Sequence, residues 1–190
     1  MGDTTATAHI TGIVLAAGAG TRMGMPKALM RTPDGEPWLA RATQLLAAAG
    51  CERILVVLGA RAEDALPLVR PGAVPVVAAD WAEGMSASLR AGLDAATGRA
   101  ALITLVDIPD MPLSVVRRVL GAGATDSTLR QATYNGRPGH PVVVGRDHWD
   151  ALVADLAGDR GARRYLAAHG VNEVECSDLF DGQDVDRPLS

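Results

Sequence analysis

Between Leu15 and Lys27 the chain reads Leu15-Ala16-Ala17-Gly18-Ala19-Gly20-Thr21-Arg22-Met23-Gly24-Met25-Pro26-Lys27, placing glycines and cations close together. Gly18 and Gly20 let backbone N–H groups approach phosphate oxygens and form an anion nest. Arg22 offers phosphate a planar fork of donors, and Lys27 a mobile point charge. Together they could balance much of a triphosphate's charge. The segment is not a dinucleotide fingerprint, because the third glycine would have to stand at Met23. Nor is it a P-loop, since Gly24 is followed by Met25 instead of Lys and Ser/Thr.

Carboxylates supply the second half of such chemistry. Asp107 directly follows the apolar run 100–106, where it could hold a magnesium ion shared with phosphate or cap a following turn. In Asp184-Val185-Asp186-Arg187-Pro188, alternation puts Asp184 and Asp186 on one side of an extended segment. They are either metal ligands, with Asp186 preferred, or a solvated acidic tail. Ser86 and Ser88 follow Gly84 at the start of a predicted helix, where hydroxyls either meet a ligand or cap. His140, between Gly139 and Pro141, is structural or borders a pocket. Arg160, Arg163 and Arg164 face an anionic group or solvate a helix. His9, His148 and His169 show no zinc spacing, and no Ser or Cys sits in a nucleophile elbow.

The elements that must position these residues alternate between strand and helix. Strands are predicted at 10–16, 53–58, 74–78, 100–106, 129–134, 140–144 and 171–175. Helices are predicted at 37–49, 61–68, 84–96, 112–120, 147–157 and 161–169. Asn135-Gly136 marks a hairpin turn. This order predicts an α/β fold with a mostly parallel sheet. In such sheets ligands sit beyond the carboxyl ends of the strands. Segments 16–27, 79–88 and 107–112 all fall there.

With 190 residues, 48% of them hydrophobic, the chain can bury a substantial core. Aromatics are only 3%, so Ala, Val and Leu must build it. The net charge of −4 argues against a nucleic-acid partner. No apolar run is long enough for a membrane span, and two cysteines, Cys51 and Cys176, suit a reduced cytoplasmic protein. Residues 1–9 are expected to form a flexible leader and residues 10–190 one domain.

The motif Leu-Ala-Ala-Gly-x-Gly-x-Arg-Met-Gly-x-Pro-Lys resembles the signature of the MobA-like nucleotidyltransferases. That resemblance implies a Rossmann-like three-layer sandwich and magnesium-dependent transfer of a nucleoside monophosphate onto a phosphorylated acceptor. Further segments resemble the molybdopterin cytidylyltransferases: Trp81 to Leu93, Val106-Asp107-Ile108-Pro109, Gly136 to Pro141, and Gly158 to Arg163. The implied substrates are CTP and molybdopterin or its molybdenum form, with a molybdoenzyme or insertion chaperone as a further partner. GTP, a sugar phosphate acceptor, or a non-catalytic binding role are the alternatives. Carried over residue by residue, the resemblance assigns Leu15, Ala16, Ala17, Gly18, Gly20, Gly84 and Ser88 to the nucleotide. It gives Arg22 and Lys27 to the triphosphate, Asp107 and Asp186 to magnesium, and His140 to the acceptor. Arg187 replaces the threonine usual in the family's terminal Asp-Ile-Asp-Thr-Pro element.

Overall fold

The computed structural model describes residues 9–185. Residues 1–8 of the expected leader, and Asp186 among the expected metal ligands, lie outside the described residues.

Among the described residues seven strands form one sheet: β1 Ile10–Ala16, β2 Arg53–Leu58, β3 Ala73–Val77, β4 Ala100–Leu105, β5 Leu129–Tyr134, β6 Arg137–Gly145 and β7 Asn172–Glu175. Their order is β3-β2-β1-β4-β6-β5-β7. β1 pairs in parallel with β2 and β4, β2 with β3, and β5 with β7. β6 pairs antiparallel with both β4 and β5, so it alone reverses direction. The expected mostly parallel α/β architecture is what the chain adopts.

All seven β1 residues are buried, because helices cover both faces of the sheet. On one face α1 (Trp38–Ala48) and α4 (Leu113–Leu120) pack Leu39, Leu46, Val115 and Val119 against Val14, Val56 and Leu102. On the other, α3 (Met85–Ala95), α5 (Trp149–Asp155) and α6 (Arg163–Ala168) pack Leu89, Leu93, Leu152 and Leu166 against Ile13, Leu55, Val57 and Ile103. These two apolar layers, alternating along each strand, make the three-layer sandwich. A four-residue helix, α2 (Ala62–Ala65), continues into a 3-10 turn at Leu66–Leu68.

The structure departs from the predicted boundaries in two places that bear on the site. β6 begins at Arg137 rather than at 140, because Asn135 and Gly136 both take positive φ and turn the chain immediately. The predicted helix from 161 starts only at Arg163, after a separate 3-10 turn at Gly158–Arg160 flanked by left-handed glycines, Gly158 (φ 57°) and Gly161 (φ 52°).

The chain visits β2 and β3 on one side of β1 before crossing to β4 on the other. The carboxyl ends of β1 and β4 therefore flank the point where strand order reverses, the usual position of a crevice in open α/β sheets.

Candidate active site

At that reversal lies a cavity of about 750 Å³. Its floor is the end of β1, where Leu15, Ala16 and Ala17 pass into Gly18, Ala19 and Gly20. Thr21, Arg22, Met23 and Lys27 line it from the loop, Asp107 from the end of β4, and Gly84, Met85 and Ser88 from the start of α3. Every sequence-predicted nucleotide residue, together with Arg22, Lys27 and Asp107, is thus brought to one cavity.

The loop is held by its own backbone. Met23 N–H donates to Gly20 C=O at 2.9 Å, and a 3-10 turn at Lys27–Leu29 follows Pro26. Gly20 has φ 60°, and a Cβ there would collide with the Met25 carbonyl. Only glycine lets the loop fold back this closely.

Lys27 and Asp107 meet across the floor: Nζ donates to Oδ2 at 2.6 Å. Both side chains are largely enclosed, with relative exposures of 20% and 11%. Burial raises the Asp107 carboxyl above its ordinary value, and Asp184 adds to the rise, while Lys27 opposes it. Asp184 is near because Val185 N–H donates to the Asp107 carbonyl at 2.8 Å, laying the C-terminal segment beside β4. Asp107 Oδ1 is buried and has no hydrogen-bond partner. An anionic oxygen left unsatisfied in a buried place is costly unless a cation or donor completes it. Among the described residues no cluster of three or more His, Cys, Asp or Glu side chains could cage a metal. Two neighbouring carboxylates do suit magnesium, which takes one or two of them and completes its shell with phosphate and water.

On the opposite wall, α3 begins at Gly84, whose φ of 111° favours glycine. No side chain caps this helix end. Ser88 is buried and lines the cavity. Ser86 is also buried, but its hydroxyl neither caps the helix nor finds another partner.

His140 does not line this cavity. It borders a second one of about 380 Å³, which shares Leu15 and Met85 with the first. Arg137, Arg160 and Arg163 also line the second cavity, over an apolar floor that includes Leu89, Ile103 and Val142. Arg164 points elsewhere and pairs with Asp155. Burial lowers the His140 imidazole to about 4, so it is neutral near neutral pH. The Tyr134 hydroxyl donates to the His140 carbonyl at 2.7 Å.

Trp81, Met85 and Asp159 line the first cavity without having been singled out from the sequence. Trp81 and Met85 stand in the same segment as Gly84 and Ser88, which is the signal that could have found them. Asp159 comes from a turn more than 70 residues further along; the segment Gly158 to Arg163 was noted there, but nothing in it pointed to this cavity.

Residues 12–174 match the family described as the MobA-like NTP transferase domain. The chain belongs to that family. It is 36% identical, over 98% of its own length and 96% of the relative's, to the nicotine blue oxidoreductase of Paenarthrobacter nicotinovorans. It is 33% identical to the molybdenum cofactor guanylyltransferase of Rhodobacter capsulatus, over 78% of this chain and 70% of that one. The molybdenum cofactor cytidylyltransferase of Escherichia coli (strain K12) is 25% identical over 70% of this chain and 69% of its own. Among solved structures, Rv0371c from Mycobacterium tuberculosis H37Rv superposes with a TM-score of 0.80 at 29% identity, covering 95% of this chain and 94% of that one. Its complex with manganese gives 0.71 at 26%, covering 89% and 88%. The family and its nucleotidyltransferase fold are therefore shown. The cytidylyltransferase likeness is not singled out, since the guanylyltransferase is the more similar of the two and the oxidoreductase exceeds both.

Proposed function

We propose that this chain is a magnesium-dependent nucleotidyltransferase that moves CMP from CTP onto molybdopterin or its molybdenum form. One observation carries the proposal: the glycine loop, Arg22, Lys27 and the Asp107 carboxylate converge on one cavity at the strand-order reversal. The triphosphate lies against the Gly18–Gly20 backbone, with Arg22 and Lys27 opposing its charge. Asp107, with Asp184 near it, would hold the magnesium; Asp186, the other expected ligand, lies outside the described residues. When bound, that ion neutralises charge on the phosphates and orients the α-phosphoryl group. An oxygen of the acceptor's phosphate forms a bond to the α-phosphorus, and the bond to the β-phosphate bridging oxygen breaks. Pyrophosphate leaves with that electron pair, and Lys27 meets its growing negative charge. The acceptor phosphate is ionised near neutral pH, so no strong general base is needed, and catalysis comes from positioning and electrostatics.

The neighbouring cavity suits the acceptor. Its apolar floor takes a ring, its arginines take a phosphate, and a neutral His140 can bond to a polar edge. The test is pyrophosphate release with magnesium, molybdopterin and each of CTP, GTP, ATP and UTP, for wild type and Asp107→Ala. A CTP-selective signal lost in the variant supports both the reaction and the metal ligand. A GTP-selective signal would move the reaction to guanylyl transfer. Binding of nucleotide without turnover over several phosphorylated acceptors, sugar phosphates included, would leave a binding role.

A second reading has its own observation, the 36% identity to a relative named as an oxidoreductase. There the cavity would serve an oxidation or reduction of the kind that relative is named for. Reduction of nicotine blue by a reduced nicotinamide dinucleotide, followed by absorbance without any nucleoside triphosphate, tests it directly.

A further inference from the structure

The turn Gly158-Asp159-Arg160-Gly161 reaches across to the start of α3 and is not used by the phosphate chemistry above. It is anchored there by close packing. A Cβ on Gly84 would collide with Asp159 Oδ1 and come within 2.9 Å of the Gly158 carbonyl carbon. A Cβ on Gly161 would come within 3.2 Å of Met85 Sδ. The absence of a side chain at Gly84 thus makes the place that the Asp159 carboxylate fills. Asp159 lines the same cavity as Ser88, which stands one turn further along α3.

Among the described residues Asp159 has no hydrogen-bond or ion-pair partner, although Arg160 and Arg163 are its neighbours in sequence. Its Oδ1 lies beside Gly84 at the start of an eleven-residue helix that no side chain caps. An ionised carboxylate only accepts hydrogen bonds. It therefore attracts a ligand edge that presents N–H and repels one that presents a carbonyl oxygen.

Resting on the nucleotidyl-transfer reading, we propose that Asp159 is a specificity residue that accepts a hydrogen bond from the exocyclic amino group of the nucleobase. With CTP that group is the cytosine N4 amine, where uracil has a carbonyl oxygen. Gly84 and Ser88 border the base from α3, while the β1 end and its loop hold the phosphates. Selectivity between two bases of one size and shape then comes from a single oxygen held against the helix.

The experiment compares kcat/KM for CTP and UTP, and for GTP and ITP, in wild type, Asp159→Asn and Asp159→Glu, with thermal stability measured alongside. In each pair the second base lacks the amino group. For the pair that is turned over, Asp159→Asn should narrow the preference by about 10- to 100-fold, the scale of one hydrogen bond to a charged group. The asparagine amide can donate to the uracil carbonyl, so UTP should gain while CTP loses; hypoxanthine has only a hydrogen at that place, so in the other pair GTP should lose without a gain for ITP. Asp159→Glu keeps the acceptor and should retain part of the preference. An unchanged ratio, with all nucleotides slowed alike or stability alone reduced, overturns the assignment and leaves the turn a structural brace. A collapsed GTP/ITP ratio would uphold the amino-group contact while removing CTP as the substrate. If wild type neither turns over nor binds any of the four, the nucleotidyl-transfer reading and this one fall together.

Discussion

Lys27 Nζ lies 2.6 Å from one oxygen of Asp107, while the other oxygen of that carboxylate is buried without a partner. The pair spans the cavity floor from the loop after β1 to the end of β4. Removing the cation should be felt in turnover. Lys27→Ala is expected to lower kcat by about 100-fold or more, the scale of losing one oxyanion donor. Steady-state pyrophosphate release measures it, and near-normal turnover would take Lys27 out of the chemistry.

Asp107 itself should show a conflict between stability and activity. Burial, followed by the effect of Asp184, raises its carboxyl in the folded chain. A group raised in this way contributes stability below its unfolded value, and that contribution is lost as pH climbs through the folded one. At neutral pH the ionised carboxylate therefore opposes folding. Asp107→Asn keeps an acceptor for Lys27 and should hold or raise Tm at pH 7 while activity disappears. A marked drop in Tm would contradict this account.

Glu175 gives an acid limb of the opposite sign. Its carboxylate accepts from the backbone N–H groups of Asn135 (3.0 Å), Gly136 (3.2 Å) and Ser177 (3.0 Å), and from the Thr133 hydroxyl (3.0 Å). The Ser177 side chain, together with these backbone donors, pulls the group down to about 2 from its ordinary 4.5. The stability it contributes is complete above the unfolded value and is lost as pH falls from 4.5 towards 2. Glu175→Gln should flatten stability against pH across that window and leave the neutral-pH curve nearly parallel. Denaturation at several acidic pH values would show it.

Gly92 sets how closely α3 approaches the sheet. A Cβ there would come within 2.9 Å of an Ile13 methyl and 3.2 Å of a Val57 methyl. Ser88 lies one turn earlier on the same helix face. Gly92→Val should destabilise the fold by about 1–3 kcal/mol through overpacking and also raise KM for the nucleotide by displacing Ser88. Urea unfolding and steady-state kinetics measure the two effects separately.

Gly20→Ala should act on the loop. The left-handed backbone and the collision with the Met25 carbonyl would together cost about 1–3 kcal/mol, with weaker nucleotide binding as the larger symptom. Calorimetry with CTP and magnesium reads the affinity directly.

The strands that were legible in the sequence are those with a continuous apolar run. β1 and β2 begin and end where predicted, since burial on both faces leaves no alternation to misread. The phosphate half of the candidate site was legible for a related reason: its residues lie within one loop plus the residue after a buried strand. Asp159 was not, because its role depends on which turn the topology carries to Gly84. No periodicity encodes that meeting. His140 was placed on the acceptor side from its motif, but the sequence could not show that its cavity joins the first only at Leu15 and Met85. Local spacing reports neighbours along the chain, and this boundary is made where the end of β1 and the start of α3 both line the two cavities.

The single reversed strand has a consequence for how such a protein can change. Parallel strands deliver their last residues to the ligand edge, as β1 and β4 do with the glycine loop and Asp107. β6 runs the other way and delivers its first residues, Arg137 to His140, directly behind a two-residue hairpin turn. Lengthening or recolouring that hairpin would remodel the second cavity without shifting the register of β1 against β4. The architecture thus separates a tightly constrained half from a half free to vary, a division of labour suited to taking new partners for an old nucleotide.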